Sequence, residues 1–253
     1  MRRSRRRGLV GGGRGAVVMT VFVPAGVMAG QRHELDEDEA HHLRVRRARP
    51  GEPVGLRDGA GLLGSGRLAL VGKRWVVDVE AVERVPRPPA LTLVVGAGDR
   101  ERFGWLVEKA GELGVTRVVP LETERSGAVA TRVREGHLAK LRRQGREALK
   151  QCGAAWEPEI APPIGPDQLP TLAAASQLWL ADPTGDPPPA RLHCEPVAAV
   201  IGPEGGLTAA ERDIVLAAGA RAIALGPYTL RFETAAVAAA AAVAAARLRG
   251  THG

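Results

Sequence analysis

The sequence predicts an α/β protein: a domain with a mostly parallel sheet, preceded by a small β-rich unit. Three observations carry this. Residues 20–85 pattern as short strands and turns, but after the proline-rich stretch Val85-Pro86-Arg87-Pro88-Pro89-Ala90 strands alternate with helices. Prolines at that density stiffen a chain and cannot continue a sheet ladder, so the stretch reads as a linker. Finally, two apolar runs close on Ile201-Gly202-Pro203-Glu204-Gly205-Gly206 and on Leu225-Gly226-Pro227-Tyr228, and both read as strand, glycine turn, helix. Tandem turns of this kind meet at the carboxyl edge of a parallel sheet, where α/β proteins bind ligands.

Composition sets the outer limits. The 253 residues, 45% of them hydrophobic, are enough for a real core in one large or two modest domains. A formal charge of +7 points to a polyanionic partner, yet residues 1–18 hold six arginines and no acid, and removing those six from +7 leaves +1. A nucleic-acid argument therefore rests on local patches. Cys152 and Cys194 fit no metal-ligand spacing, which predicts a cytoplasmic, disulfide-free chain without a structural metal. The alanine-rich run at 235–246 is too short and too weakly apolar for a membrane span.

The amino-terminal element admits a signal-peptide reading, but Pro24 and Gly26 interrupt its apolar part. The expectation is a disordered basic extension over 1–18, with Met19 opening the folded protein. Gly11-Gly12-Gly13-Arg14-Gly15-Ala16 fits G-x-G-x-x-A by composition alone, because no strand precedes it. Strands at 20–24, 54–56, 68–71 and 75–82, with an Asp-Gly turn at Asp58-Gly59, suggest a small barrel over 19–85. Between its first two strands, 37–48 reads as a helix with acids first and arginines last, as the helix dipole favours. Adjacent His41 and His42 cannot serve one metal from one helix face. Arg44, Arg46, Arg47 and Arg57 mark a phosphate-binding surface or a solvated face.

Beyond the linker at 86–90, the second domain is expected over 91–250. Residues 91–95 form its first strand. A helix over 100–113 places Phe103, Leu106, Val107, Ala110 and Leu113 on one stripe, and Gly114 caps it. A strand at 116–121 delivers Glu122 to Ser126 to a loop. Residues 131–150 carry seven basic and two acidic side chains, with Leu138, Leu141, Ala148 and Leu149 on one helical stripe. Lys140, Arg142, Arg143, Arg146 and Lys150 then fall largely on the exposed side, as a solvated face or an RNA contact. A strand at 177–181, an exposed loop at 182–189 and a strand at 196–201 lead to the first glycine turn. Thr208-Ala209-Ala210-Glu211 fits a capping box, opening a helix that ends at Gly219 before a strand at 221–225. The final helix, 233–248, is alanine on nearly every face and is expected to pack closely on several sides.

Gly202, Gly205 and Gly206 let a ligand approach backbone, and the helix that follows offers free N–H groups. A P-loop would need a Lys-Ser/Thr pair that is missing, and Gly96-Ala97-Gly98 is a tight turn rather than a dinucleotide fingerprint. A mere corner has no need of Glu204. The second turn adds Arg231 and Glu233, so the pair reads as a site.

The run Ile201-Gly-Pro-Glu-Gly-Gly-Leu-Thr with Glu211, and Leu225-Gly-Pro-x-x-Leu-Arg-x-Glu-Thr-Ala, resembles the signature of the RsmE family. These are SPOUT-superfamily methyltransferases that use S-adenosylmethionine to methylate N3 of a uridine in 16S ribosomal RNA. Lys109-Ala110-x-Glu112-Leu113-Gly114-Val115, Glu124-Arg125-Ser126 and Glu147-Ala148-x-x-Gln151-Cys152-Gly153 with Pro158 are similar to it in the same order. So is the stretch from Val21-Phe22-Val23 through His42-Leu43 to Asp58-Gly59-x-Gly61, which resembles the family's PUA-like RNA-binding domain. The likeness runs from Met19 to the end.

This resemblance implies a trefoil-knotted α/β domain after a PUA-like β-barrel, a homodimer through the SPOUT domain, and the cofactor held in the knot. It implies that Leu180, Ala181, Ile201, Gly202, Pro203, Glu204, Gly205, Leu225, Gly226, Pro227 and Leu230 hold S-adenosylmethionine. Arg231, Glu233 and Glu204 are the implied catalytic group. Uridine N3 is a poor nucleophile until its proton leaves, so a base, or a cation stabilising the uracil anion, is required. The sulfonium donor supplies the leaving group, and no metal is expected. Arg44, Arg57, Lys109, Arg125, Arg142, Arg143 and Arg146 are the expected contacts to 16S rRNA or the small subunit. Tyr228 and Phe232 stand where the family usually has Arg and Thr, Ala154 where Arg is frequent, and Ala97 where Lys is common; Tyr228 and Trp156 are candidates to stack on bases instead. A SPOUT methyltransferase acting on another RNA base, and a catalytically silent RNA-binding or ribosome-assembly protein, are the competing expectations.

Overall fold

The computed structural model describes residues 19–96, 99–126 and 135–251. The basic extension, Ala97, Arg132 and Arg134 lie outside the described residues. The chain divides into two units, one of residues up to Leu56 together with Gly64–Val82, the other of Arg57–Leu63 with Glu83–Gly253.

The first unit is built on β1 (Thr20–Phe22), β2 (Arg32–Glu34), α1 (Glu37–Val45), β3 (Pro53–Arg57), β4 (Leu62–Val71) and β5 (Arg74–Arg84), in a sheet of order β1-β3-β4-β5-β2. Asp36 caps α1 by accepting the Glu39 amide at 2.8 Å, and the helix stops at Val45, short of the expected 48. Val21, Leu43, Val54, Leu56, Leu68 and Val77 are fully buried and form the core. Strand β4 starts six residues before the expected 68, because Gly64 and Gly66 read as turn residues in sequence. In the sheet they allow close packing: a Cβ on Gly66 would lie 2.5 Å from the Asp78 carbonyl oxygen.

The second unit holds a six-stranded sheet of β6 (Leu91–Gly96), β7 (Arg117–Leu121), β8 (Glu159–Ile160), β9 (Gln177–Asp186), β10 (Val197–Ile201) and β11 (Arg221–Ile223). Their order is β11-β9-β10-β6-β7-β8, and every adjacent pair is parallel. Strand β10, Val-Ala-Ala-Val-Ile, is buried along its whole length because helices cover both faces of the sheet. On one face α2 (Arg100–Glu112), α3 (Glu135–Cys152) and α6 (Phe232–Gly250) pack Phe103, Leu106, Leu141, Ala236, Ala240 and Val243 against Leu93, Trp179 and Ala199. On the other, α4 (Leu169–Ala173) and α5 (Ala209–Ala217) pack Leu169 and Val215 against Val94, Leu180 and Val200. Helix α6 is shielded on most sides, as its alanines predict, and only Thr234, Leu248 and Arg249 of it are exposed. Its end is tied down by Arg247, whose guanidinium donates to the carbonyls of Pro89 (2.9 Å), Ala90 (2.8 Å) and Glu195 (2.9 Å), just before β6 and β10.

Several expectations change. The expected loop at 182–189 is strand to Asp186, but β11 pairs Ala222 with Leu180 and Ile223 with Asp186, so residues 181–185 bulge out of register. Pro183 and Gly185 gave that segment its turn-like composition. Strands β2 and β8, helix α4 and a 3-10 turn at Pro166–Gln168 were too short to pattern. Lys150 is not exposed: its side chain is 8% accessible and pairs with Glu147 at 2.9 Å. Trp156 is no free stacking platform. Its Nε1 donates to the Val85 carbonyl at 2.9 Å, Arg87 covers its ring at 5.7 Å, and a Cβ on Gly61 would come within 2.6 Å of it. Hydrogen bonds from Gly61 N to Ala155 O and from Glu157 N to Gly59 O place Arg57–Leu63 with this unit.

Candidate functional site

Strands β6, β7 and β8 progress to one side of the sheet, and the chain then crosses back to β9, β10 and β11 on the other. Ligands of open α/β sheets sit at the carboxyl edge near such a reversal. There the ends of β9 and β10 and the segment after β11 enclose a cavity of ≈ 260 Å³.

Its walls come from three segments. From β9 come Leu180, Ala181, Asp182 and Pro183; from the first glycine turn come Ile201, Gly202, Pro203, Glu204, Gly206 and Leu207. The third wall is Leu225, Gly226, Tyr228, Thr229 and Leu230, with Phe232 and Ala235 of α6 behind it and Arg212 of α5 at the side. The glycine turn is held from outside. Glu211 forms the capping box with Thr208, accepting its amide at 2.8 Å, and its other oxygen accepts the Glu124 amide at 2.8 Å. Arg125 donates to the Gly205 carbonyl at 2.6 Å. Thr123 and Ser126, both buried, bond each other and lock that loop.

Nine of the eleven expected cofactor residues thus line one cavity, namely Leu180, Ala181, Ile201, Gly202, Pro203, Glu204, Leu225, Gly226 and Leu230; Gly205 and Pro227 do not. Of the expected catalytic group, Glu204 is exposed on the cleft wall and Arg231 is exposed at the N-cap of α6. Glu233 points elsewhere: it is buried, its nearest charged group is Arg102 at 3.9 Å, and its Oε2 has no hydrogen bond. Successive helix residues point about 100° apart, so Phe232 and Ala235 can face the cleft while Glu233 does not. Tyr228 lines the cleft and is 79% exposed, Phe232 is core, and Ala154 is half-buried.

The expected RNA contacts do not behave as one set. Arg44 pairs with Glu37, Lys109 bridges Glu108 and Glu112, and Arg125 serves the Gly205 turn. Arg57 is half-buried, and burial pushes its guanidinium pKa down. Arg142, Arg143 and Arg146 stand exposed on α3, with Arg142 reaching the Ile160 carbonyl at 3.2 Å.

Asp182 and Arg212 are cleft residues that sequence reasoning missed. The Thr184 hydroxyl, then Arg212, then the Thr184 amide hold the Asp182 carboxyl down at about 2. The signal was available in the Asp-Pro-Thr-Gly turn chemistry, which also supports an Asx turn.

Comparison with known proteins gives the family. Residues 85–244 match the RNA methyltransferase domain family, and residues 35–76 match the RNA methyltransferase PUA domain. The fold, its cleft and these matches define an RNA methyltransferase with a PUA-like amino-terminal domain. The chain is 32% identical over 247 residues to ribosomal RNA small subunit methyltransferase E of Mycobacterium bovis, covering 90% of this chain and 91% of that one. It is 31% identical over 212 residues to the Aquifex aeolicus protein of the same name, covering 80% and 90%. The crystal structure of that methyltransferase from Neisseria gonorrhoeae, bound to S-adenosyl methionine, superposes with a TM-score of 0.80 at 27% identity, covering 89% of this chain and 96% of that one. The chain belongs to the ribosomal RNA small subunit methyltransferase E family.

Proposed function

We propose that this protein transfers the methyl group of S-adenosylmethionine to N3 of a specific uridine in the 16S ribosomal RNA of the small subunit, in the cytoplasm. The observation that carries the proposal is the cleft at the carboxyl edge, where the chemistry of the walls fits the cofactor. Leu180, Ile201, Leu225 and Leu230 offer apolar surface for a purine, the glycine turns offer backbone polar groups, and Asp182, Glu204 and Arg212 are its charged groups. S-adenosylmethionine, when bound, supplies a methyl group activated by its sulfonium.

The protein's part is to hold, orient and deprotonate. Arg231, exposed beside the cleft, stabilises the uracil anion through its oxygens, and Glu204 accepts the N3 proton. Orientation of the two reactants supplies the largest share of the acceleration. Glu233 acts from behind, setting the field at the start of α6 together with Arg102. Arg142, Arg143 and Arg146 hold RNA phosphates. The chain passes from the outer strand β11 over the ends of β9 and β10 into α6, a course that supports the trefoil knot. Exposed Trp105 on α2 and Leu248 on α6 support a homodimer through the same domain.

Arg231→Ala is expected to lower methyl transfer to 16S rRNA by roughly 10²–10³ while leaving calorimetric binding of S-adenosylmethionine unchanged. Undiminished turnover would remove Arg231 from the reaction. A folded wild-type protein that does not bind S-adenosylmethionine would overturn the whole reading.

A further inference from the structure

Among the charged groups of the cleft, Asp182 and Arg212 form a pair whose two members are differently placed. Asp182 has nothing left to offer a ligand. Its Oδ1 accepts from the Thr184 amide at 2.8 Å and hydroxyl at 2.7 Å, and its Oδ2 accepts from Arg212 Nε at 3.2 Å and Nη2 at 2.8 Å. Four donors occupy the roughly four lone-pair positions of a carboxylate. Arg212 is only partly used. A guanidinium carries five N–H donors, and the fork to Asp182 takes two of them, leaving about three. Among the described residues Arg212 has no other acceptor. The Asp182 side chain is 14% exposed and that of Arg212 42%, so a partly buried anchor holds a guanidinium that reaches the cleft.

Both ends of the pair are fixed before any ligand arrives. The Asp182 end lies in the bulge of β9, where Gly185 packs directly on the Ala222 backbone, with no room for a Cβ. The Arg212 end lies in the first turns of α5, which the Thr208 and Glu211 capping box fastens to the Glu124 loop. A guanidinium held in this way keeps its planar free edge in one orientation, and that edge matches a carboxylate.

We propose that Arg212, oriented by Asp182, binds the α-carboxylate of S-adenosylmethionine and so determines which sulfonium compounds the cleft accepts. The inference rests on the proposed use of that cofactor. The carboxylate is the cofactor's one anionic group, beside a sulfonium and an ammonium, whereas its purine and ribose are neutral. Asp182 is a positioning residue, since its oxygens are saturated.

Calorimetry on the full chain tests this with two ligands, S-adenosylmethionine and its analogue lacking the α-carboxylate. The wild type is expected to prefer the natural compound by roughly 10- to 100-fold. Arg212→Met should lose that factor for S-adenosylmethionine while binding the analogue as the wild type does, and Arg212→Lys should recover part of it. Asp182→Asn, which loosens the fork while leaving the Arg212 charge in place, should lose less, again only for the carboxylate-bearing ligand. Equal weakening of both ligands by Arg212→Met would make the pair merely structural. An Arg212→Met protein that binds both ligands as the wild type does, or one that loses affinity for 16S rRNA alone, would likewise overturn the assignment. Wild-type protein binding neither ligand would instead sink the methyltransferase reading itself.

Discussion

At Asp182 the chemistry of a single side chain links stability to pH. Its carboxyl, ordinarily near 3.8, is held at about 2, first by the Thr184 hydroxyl and then by Arg212. A folded-state pKa below the unfolded one means the unfolded chain takes up the proton first. The contribution is therefore fully present above about pH 4 and is lost as pH falls towards 2. Urea unfolding midpoints between pH 2 and 6 should show Asp182→Asn losing stability at pH 6, with the gap to wild type closing at the acid end; a pH-independent gap would contradict the linkage. Glu204 and Arg231 were legible as exposed polar groups in a turn, because charges that folding does not require stand out in composition. Asp182 was not, since the same Asp-Pro-Thr-Gly letters serve an unpaired loop and a bulge within a strand. Only the pairing of β11 with both Leu180 and Asp186 distinguishes them. Glu233 differs in the other direction: its neighbours in the motif are near the cleft, while its own side chain is buried with Arg102 at 3.9 Å.

Elements whose ends carry capping chemistry were legible almost to the residue. The α5 box sets the helix start at Thr208, and Gly114 marks the end of α2, whose start the structure caps with Asp99 accepting the amides of Glu101 and Arg102. Thr208→Ala should cost about 0.5–2 kcal/mol in chemical denaturation, and because Glu211 also holds the Glu124 loop, it should weaken cofactor binding too. Unchanged affinity alongside lost stability would show that the cap and the turn are uncoupled. Helix α6 was legible for another reason. Its alanines let it lie close to β6 and β10, with Ala236, Ala239 and Ala240 at 1% exposure or less. Ala240→Leu should destabilise the domain by roughly 1–3 kcal/mol through overpacking, read as a lower denaturation midpoint. Very short strands such as β2 and β8 left no periodicity to read, since pairing rather than sequence pattern defines them.

Across the molecule, the change of rhythm near residue 85 announced two kinds of architecture, and the carboxyl edge of the parallel sheet announced where the cleft lies. What the linear order could not show is that Arg57–Leu63, in the midst of the first unit's strands, belongs with the second, because the Ala60, Gly61 and Trp156 contacts join residues about a hundred positions apart. The net charge of +7 was equally uninformative, while the exposed arginines of α3 make a local and testable patch. Arg143→Ala combined with Arg146→Ala should weaken 16S rRNA binding and flatten its dependence on log salt by roughly 1.5–2 units, with cofactor affinity intact. An unchanged slope would place the RNA elsewhere. Nucleoside mass spectrometry of 16S rRNA from a strain deleted for this gene tests the reaction itself. Loss of 3-methyluridine, restored by the wild-type gene and not by one carrying Arg231→Ala, is the predicted result; undiminished 3-methyluridine in the deletion strain would contradict it.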